Sequence, residues 1–139
     1  MPERVSSSLL YLAALTVMSI VVALVAGAAL YVETRNQART QAETMTHGHV
    51  AAGRAAISLY GCGSCHVIPG IHGAYGKVGP DLTGIARRVT LAGSLSNDPE
   101  TMARWLEHPQ SLRPGSGMPE QDVSASDARD IAAYLYSKR

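Results

Sequence analysis

A run of 28 residues without a charged side chain, residues 5–32, constrains this chain more than any other feature. Read as a helix, the run spans about 42 Å at ~1.5 Å per residue, whereas a hydrocarbon core needs roughly 20 apolar residues. A helix is expected because lipid offers backbone amides no hydrogen-bond partner. Tyr11 and Tyr31 lie near the two ends, where amphipathic rings prefer the membrane interface. We therefore predict a single transmembrane anchor over residues 1–32.

A cleaved signal peptide is the alternative interpretation of this run. The apolar part of a signal peptide is about 7–15 residues long, which is shorter than the run here, but the small residues of 26–28, Ala-Gly-Ala, have the character of a cleavage site. The flanking charges do not orient an anchor, because Arg4 lies on one side and Arg35 and Arg39 lie on the other. We favour the anchor because of the length of the run.

Composition supports a division of the chain into an anchor and a globular part. Residues 1–32 contain 2 charged residues and residues 33–139 contain 21, so the overall charged fraction of 17% averages two populations. The formal net charge of +1 gives no support for a nucleic-acid-binding protein, which usually carries a basic excess. The two cysteines are too few for a disulfide-dense miniprotein.

Residues 33–49 separate the anchor from the remaining chain. This segment has good helix formers and no proline, but it lacks a regular apolar stripe. We interpret it as a polar, partly helical linker that frays near Gly48, and we expect one domain over residues 50–139.

The chemistry of that domain begins at Cys62-Gly63-Ser64-Cys65-His66, a C-x-x-C-H pattern typical of c-type haem attachment. Two thiols at this spacing can add to the two vinyl groups of one haem, and the adjacent His66 can place an imidazole nitrogen on the iron. A thioredoxin-like redox pair also uses C-x-x-C, but it needs a βαβ pattern, and no strand-rich segment is visible. A zinc site needs a second ligand pair at suitable spacing, which is not formed by the remaining histidines, His47, His49, His72 and His108.

From residue 50 to its end, the chain resembles the class I cytochrome c family. The resemblance implies an all-α fold in which a short helix before the haem motif is crossed by a C-terminal helix. Gly53 matches the family's glycine at that crossing, where a side chain would hold the helices apart. The apolar face of the first helix is expected from Val50, Ala51, Ile57 and Tyr60.

The C-terminal helix is expected to begin after Ser124, which has capping-box spacing to Asp127, and to end near Ser137. Its inward stripe is predicted from Ile131, Ala132, Tyr134 and Leu135. The chain has no phenylalanine, so Tyr60 and Tyr134 are expected to do packing that this family often gives to Phe, and their hydroxyls then need partners.

The segment Gly79-Pro80-Asp81-Leu82 looks like the family's G-P-x-L turn. By resemblance, the Pro80 carbonyl accepts the other ring N–H of His66 and orients the ligand, and Leu82 packs on the haem edge. A turn proline followed by a core leucine is the alternative.

Two further residues are assigned to the haem by resemblance. Trp105 lies in a helix predicted over residues 99–108, which follows a cap residue in Asn97-Asp98 and has Pro99 in its first turn. It resembles the family's tryptophan near a haem propionate, although a half-buried core position stays open. Arg88 is a second candidate for a propionate contact.

Met118 lies in a Gly/Pro-rich loop, Pro114 to Pro119, 52 residues after His66. In the family, a methionine in such a loop supplies the sixth iron ligand, so the predicted metal ligands are His66 and Met118. The competitors are His72 and His108, and Met102 is expected in the core of its helix.

These features predict one covalent haem c and an electron carrier rather than an enzyme. Haem c is attached outside the bacterial cytoplasm, so residues 50–139 are expected in the periplasm, on a single-pass anchor of the inner membrane. The expected partner is a respiratory complex, a terminal cytochrome oxidase by preference or a quinol–cytochrome c oxidoreductase, and no nucleic acid is expected.

Two other functions stay open from the sequence. The chain can be a stationary subunit of a multi-subunit oxidoreductase, held by packing of its transmembrane helix. It can also be a haem enzyme or gas sensor, which requires an open sixth position on the iron.

Overall fold

The structure, a computed structural model, describes residues 6–138. The outermost residues of the predicted anchor and haem domain, 1–5 and 139, lie outside this range. The described elements, in chain order, are the helices and strands α1 (Ser7–Thr46), α2 (Val50–Leu59), β1 (Thr90–Leu91), β2 (Leu95–Ser96), α3 (Pro99–Glu107), α4 (Pro109–Leu112) and α5 (Ala125–Ser137), with short 3-10 turns at Cys62–Ser64 and Ile85–Arg87. The predicted all-α class is confirmed, because the two described strands have only two residues each and form one short antiparallel ribbon.

The chain divides into two compact units between Asn36 and Gln37. In the first unit, α1 is continuous and exposed, and it is long and apolar enough to cross a membrane. The helical structure continues without a break through the polar residues that follow.

The second unit begins within α1. Residues 37–46, which the sequence places in a linker, are helical and belong to the compact unit, and Ala42 and Thr46 are buried there. The helix ends at Thr46, and α2 begins four residues later. The N-cap residue of α2, His49, offers no side-chain cap, so Glu43 of α1 supplies an acceptor instead, with its Oε1 2.9 Å from the backbone nitrogen of Val50.

The close crossing predicted at Gly53 is present. A Cβ atom at this position would lie 1.9 Å from the carbonyl oxygen of Asp130 in α5, far inside van der Waals contact. The buried positions of α2 are Gly53, Ala56 and Ile57, which follow the i, i+3, i+4 spacing of one helix face. That phase places Ala51 on the exposed side, so its predicted inward position is wrong.

The predicted helix starts at Asp98 and Ser124 are confirmed by their caps. The Asp98 carboxylate accepts from the backbone nitrogen of Thr101 at 2.8 Å, and the Ser124 hydroxyl accepts from that of Asp127 at 3.2 Å. The whole predicted stripe of α5 is buried, and Tyr136, which the pattern left out, is buried with it.

The hydroxyls of the buried Tyr134 and Tyr136 and of the half-buried Tyr60 all have acceptors, as their packing role requires. Burial raises the pKa of both Tyr134 and Tyr136, which keeps them neutral donors. The three acceptors are Asp127 Oδ2 for Tyr60 at 2.8 Å, the Pro69 carbonyl for Tyr134 at 2.6 Å, and Asn97 Oδ1 for Tyr136 at 2.7 Å.

Candidate haem site

One cavity of about 830 Å³ lies in the second unit, and its walls are mainly apolar. Its volume is within the range of about 300–1,000 Å³ usual for ligand sites. Neither His72 nor His108, the competitors for the sixth-ligand role, lines it, and both are exposed. The cavity brings together all eight predicted site residues, namely Cys62, Cys65, His66, Pro80, Leu82, Arg88, Trp105 and Met118.

The two cysteines lie at the end of α2, where Gly61 turns the chain with a positive φ of 66° into the 3-10 turn at Cys62–Ser64. Both thiols are free and half-buried. Burial raises the pKa of the Cys62 thiol, whereas the reactive cysteine of a redox pair needs a lowered pKa. The environment of Cys62 therefore disfavours the thioredoxin-like alternative.

His66 is oriented by the backbone of the turn that faces it. Its Nδ1 atom lies 2.7 Å from the carbonyl oxygen of Pro80, which is the contact implied by the resemblance. Because a carbonyl oxygen can only accept, Nδ1 carries the proton and donates. The neutral ring then keeps a lone pair on Nε2, the state in which imidazole binds a metal. The arrangement suits the predicted role of His66 as an iron ligand.

Gly79 has a role that the sequence did not reveal. A Cβ atom at this position would lie 2.3 Å from Cε1, 2.6 Å from Nδ1 and 2.8 Å from Nε2 of His66. The imidazole ring therefore lies directly against the backbone of Gly79, and any side chain there would displace it. One hint of this contact was present in the sequence, which is that a glycine begins the Gly79–Leu82 turn.

Arg88 fixes the same turn from its other end. Its guanidinium donates to the carbonyl oxygens of Asp81 and Thr83. Hydrogen bonds from Thr83 hold the pKa of the Asp81 carboxyl below its ordinary value. Leu82 is half-buried against the core. The propionate contact proposed for Arg88 stays a prediction.

Trp105 is half-buried on α3 and reaches the cavity beside the buried Met102. Within the part of the chain that the structure describes, its indole N–H makes no hydrogen bond, which leaves it available to a group in the cavity. Its propionate contact also stays a prediction.

Met118 is half-buried and lines the cavity. The sequence pattern did not single out Gln110 of α4, whose side-chain amide bonds to the loop that carries Met118. No local pattern signals this contact, because it depends on how α4 and the loop fold together.

A model of the cytochrome c family matches residues 50–138. The chain belongs to the cytochrome c family. Members bind haem c and transfer electrons, and this cytochrome c keeps the C-x-x-C-H motif inside the matched region. Within residues 6–138, no group of three or more His, Cys, Asp or Glu side chains is placed to hold a metal ion.

This cytochrome c also matches a curated protein, "Cytochrome c oxidase subunit 2" from Alkalihalophilus pseudofirmus. The two are 36% identical over 86 residues, which is 61% of this chain and 24% of the relative. This chain therefore spans about a quarter of the length of that relative. No solved structure matches it significantly.

The residues present in this cytochrome c fit a haem. An apolar cavity suits the macrocycle, and two free thiols on its wall suit covalent attachment. Histidine and methionine are the axial ligands of cytochromes c, and His66 and Met118 both lie on the cavity wall.

Proposed function

We propose that this chain is a membrane-anchored monohaem c-type cytochrome that carries single electrons to or from a respiratory complex, with a terminal oxidase as the preferred partner. The observation that carries the proposal is an apolar cavity lined by Cys62, Cys65, His66 and Met118. In this assignment the two thiols would attach one haem, and His66 and Met118 would bind its iron.

Haem, when bound, supplies a one-electron iron couple. The chain's own residues then determine how that couple behaves. His66 presents Nε2 because Pro80 holds its Nδ1 proton, and Met118 would supply the second iron ligand. His/Met ligation raises the reduction potential relative to ligation by two nitrogens. Buried side chains on the cavity wall, such as Ile57 and Ile131, exclude water.

The anchor and the surface charge suggest how a partner is reached. Residues 33–139 carry 11 basic and 10 acidic residues, so long-range electrostatic steering is weak. A membrane tether can replace steering because it raises the effective concentration of the domain near a membrane partner. In this proposal the N-terminus is cytoplasmic and residues 50–139 are periplasmic.

Reoxidation in native membranes tests the proposal. Membranes that contain the chain and a terminal oxidase are reduced, mixed with oxygen, and followed by haem absorbance, with and without cyanide. We expect rapid reoxidation that cyanide blocks, and no binding of carbon monoxide by the reduced cytochrome. Carbon monoxide binding would instead favour a haem enzyme or gas sensor. Reoxidation that cyanide does not affect would contradict the oxidase assignment.

A stationary subunit of an oxidoreductase is the second candidate. It is supported by the similarity to a protein named as an oxidase subunit. With Ala23 and Ala28, Gly27 gives the helix small residues that allow close helix contact. Co-purification of the chain with an oxidoreductase at a fixed stoichiometry in mild detergent would support this version, provided that the Gly27→Leu variant loses it. Recovery of free cytochrome would contradict it.

A further inference from the structure

The side-chain amide of Gln110 bonds to the loop that carries Met118 at several points. Its Nε2 lies 2.6 Å from the Met118 carbonyl oxygen and 2.9 Å from both the carbonyl and hydroxyl oxygens of Ser116. Its Oε1 accepts from the backbone nitrogen of Gly115 at 3.0 Å. One side chain thus joins α4 to three residues of the loop.

Gln110 also contacts the chain on the far side of Met118. Its backbone nitrogen donates to Oε1 of Glu120 at 2.9 Å. The preceding residue, Pro109, is among the most completely buried in the described chain, so the backbone of α4 holds Gln110 in place. The residue therefore ties both flanks of Met118 to the core.

Besides Gln110, the loop is held by the packing of Met118 against the core and by a hydrogen bond from the Ser116 backbone nitrogen to the Arg113 carbonyl oxygen at 3.1 Å. Gly115 has a positive φ of 77°, and nothing lies within 4 Å of a Cβ built at Gly117. Within residues 6–138, the hydrogen bonds to the Met118 carbonyl come from Gln110 and, at 3.4 Å, from the Ser116 hydroxyl. Only a side chain that both donates and accepts can make the set that Gln110 makes.

We propose that Gln110 is the positioning residue for the sixth ligand, holding the Met118 loop so that the methionine stays at the cavity. This inference rests on the proposed function, in which Met118 binds the iron. Without the amide, conformations in which Met118 leaves the site gain population. An external ligand for that position then binds more tightly, because less of its affinity is lost in displacing the methionine.

The test uses the full-length holoprotein and its variants Gln110→Leu, Gln110→Glu and Met118→Ala. Gln121→Leu is the matched control, because Gln121 is exposed, three residues beyond Met118, and makes no side-chain hydrogen bond in the described chain. The readouts are the far-red methionine-to-iron band of the ferric form, a titration with imidazole, and the thermal midpoint. Gln110→Glu keeps the size of the side chain and the acceptor for Gly115 but has no donor when ionised.

We expect both Gln110 variants to stay folded, to lose part of the far-red band and to bind imidazole roughly tenfold more tightly, equivalent to about 1.4 kcal/mol. Gln121→Leu should match the wild type. A merely structural role would lower the thermal midpoint without changing imidazole affinity in the folded protein.

Two failures are distinguishable. If Met118→Ala loses the band while both Gln110 variants keep it and bind imidazole like the wild type, the role of Gln110 is wrong and the ligand assignment stands. If Met118→Ala keeps the band, the ligand assignment itself is wrong. If Gln110→Leu does not fold, Gln110→Glu decides, and wild-type imidazole affinity in that variant overturns the proposal.

Discussion

The Nδ1 atom of His66 and the carbonyl oxygen of Pro80, 14 residues apart in the chain, lie 2.7 Å from each other. A backbone group, rather than a side chain, thus sets the tautomer and the direction of the imidazole. A hydrogen-bond partner of this kind makes a ligating histidine more basic and fixes its ring. The site is therefore organised before any partner protein binds.

Gly79→Ala should disturb His66 more than any exposed substitution. The added Cβ would lie within 2.3–2.8 Å of three ring atoms, so the ring or the turn must move. We expect a changed Soret spectrum and a free energy of unfolding lower by about 1–3 kcal/mol. Gly117→Ala is the control, because nothing lies within 4 Å of its Cβ. If Gly79→Ala and Gly117→Ala have equal Soret spectra, the backbone of Gly79 does not hold the His66 ring as described.

Gly53→Ala should destabilise the crossing of α2 and α5. Its Cβ would lie 1.9 Å from the Asp130 carbonyl oxygen, and backbone atoms cannot yield as a flexible side chain can. Denaturant unfolding of the holoprotein should show a loss of about 1–3 kcal/mol or more. Ala55→Ser on the exposed side of α2 should stay within about 0.5 kcal/mol of the wild type. If Gly53→Ala leaves the free energy of unfolding unchanged, the two helices cross less closely than described.

Tyr136→Phe should be costly although it removes one oxygen atom. The hydroxyl donates to Asn97 Oδ1, and the Asn97 amide nitrogen in turn donates to the carbonyl oxygens of Ile85 and Arg88. Leaving the Asn97 oxygen without its donor should cost about 1–3 kcal/mol of unfolding free energy. Tyr75→Phe at an exposed tyrosine is the control. Equal stability of both variants would refute the importance of this network.

Glu43→Gln should make stability less dependent on pH. The hydrogen bond from the Val50 backbone nitrogen, followed by the contacts with Arg39, lowers the pKa of Glu43. A lowered folded-state pKa stabilises the protein above about pH 4.5, the ordinary value of the group, and this stabilisation is lost as the pH falls through the folded-state pKa.

The expected loss for Glu43→Gln at neutral pH is about 0.3–1 kcal/mol, typical of an anion at a helix N-terminus. Denaturant unfolding at a series of pH values measures it. The difference between variant and wild type should vanish in acid. A difference that persists below the folded-state pKa would mean that the charge of Glu43 is not its cause.

The sequence was most informative where chemistry depends on residues close together in the chain. The haem motif at Cys62–His66 and the caps at Asp98 and Ser124 are short-range patterns, so they could be predicted without a structure. Gly53 and Pro80 were placed through the family resemblance, and their contacts agree with it.

The contacts that the sequence did not reveal all join separate elements of the fold. Glu43 completes the start of α2 from another helix, Gln110 reaches the Met118 loop, and Tyr136 finds its acceptor 39 residues away. Such partners depend on how elements fold together, which no local pattern encodes. Ala51 was misplaced because the phase of a ten-residue helix is set by the glycine at its crossing.

The proposed electron transfer depends on covalent attachment of one haem by Cys62 and Cys65. The most direct test is the intact mass, under denaturing conditions, of the full-length protein purified from native membranes. We expect the mass of the polypeptide plus one haem, and the polypeptide mass alone when both cysteines are replaced by alanine. A wild-type mass without haem, or one lower by the two hydrogens of a disulfide, would contradict it.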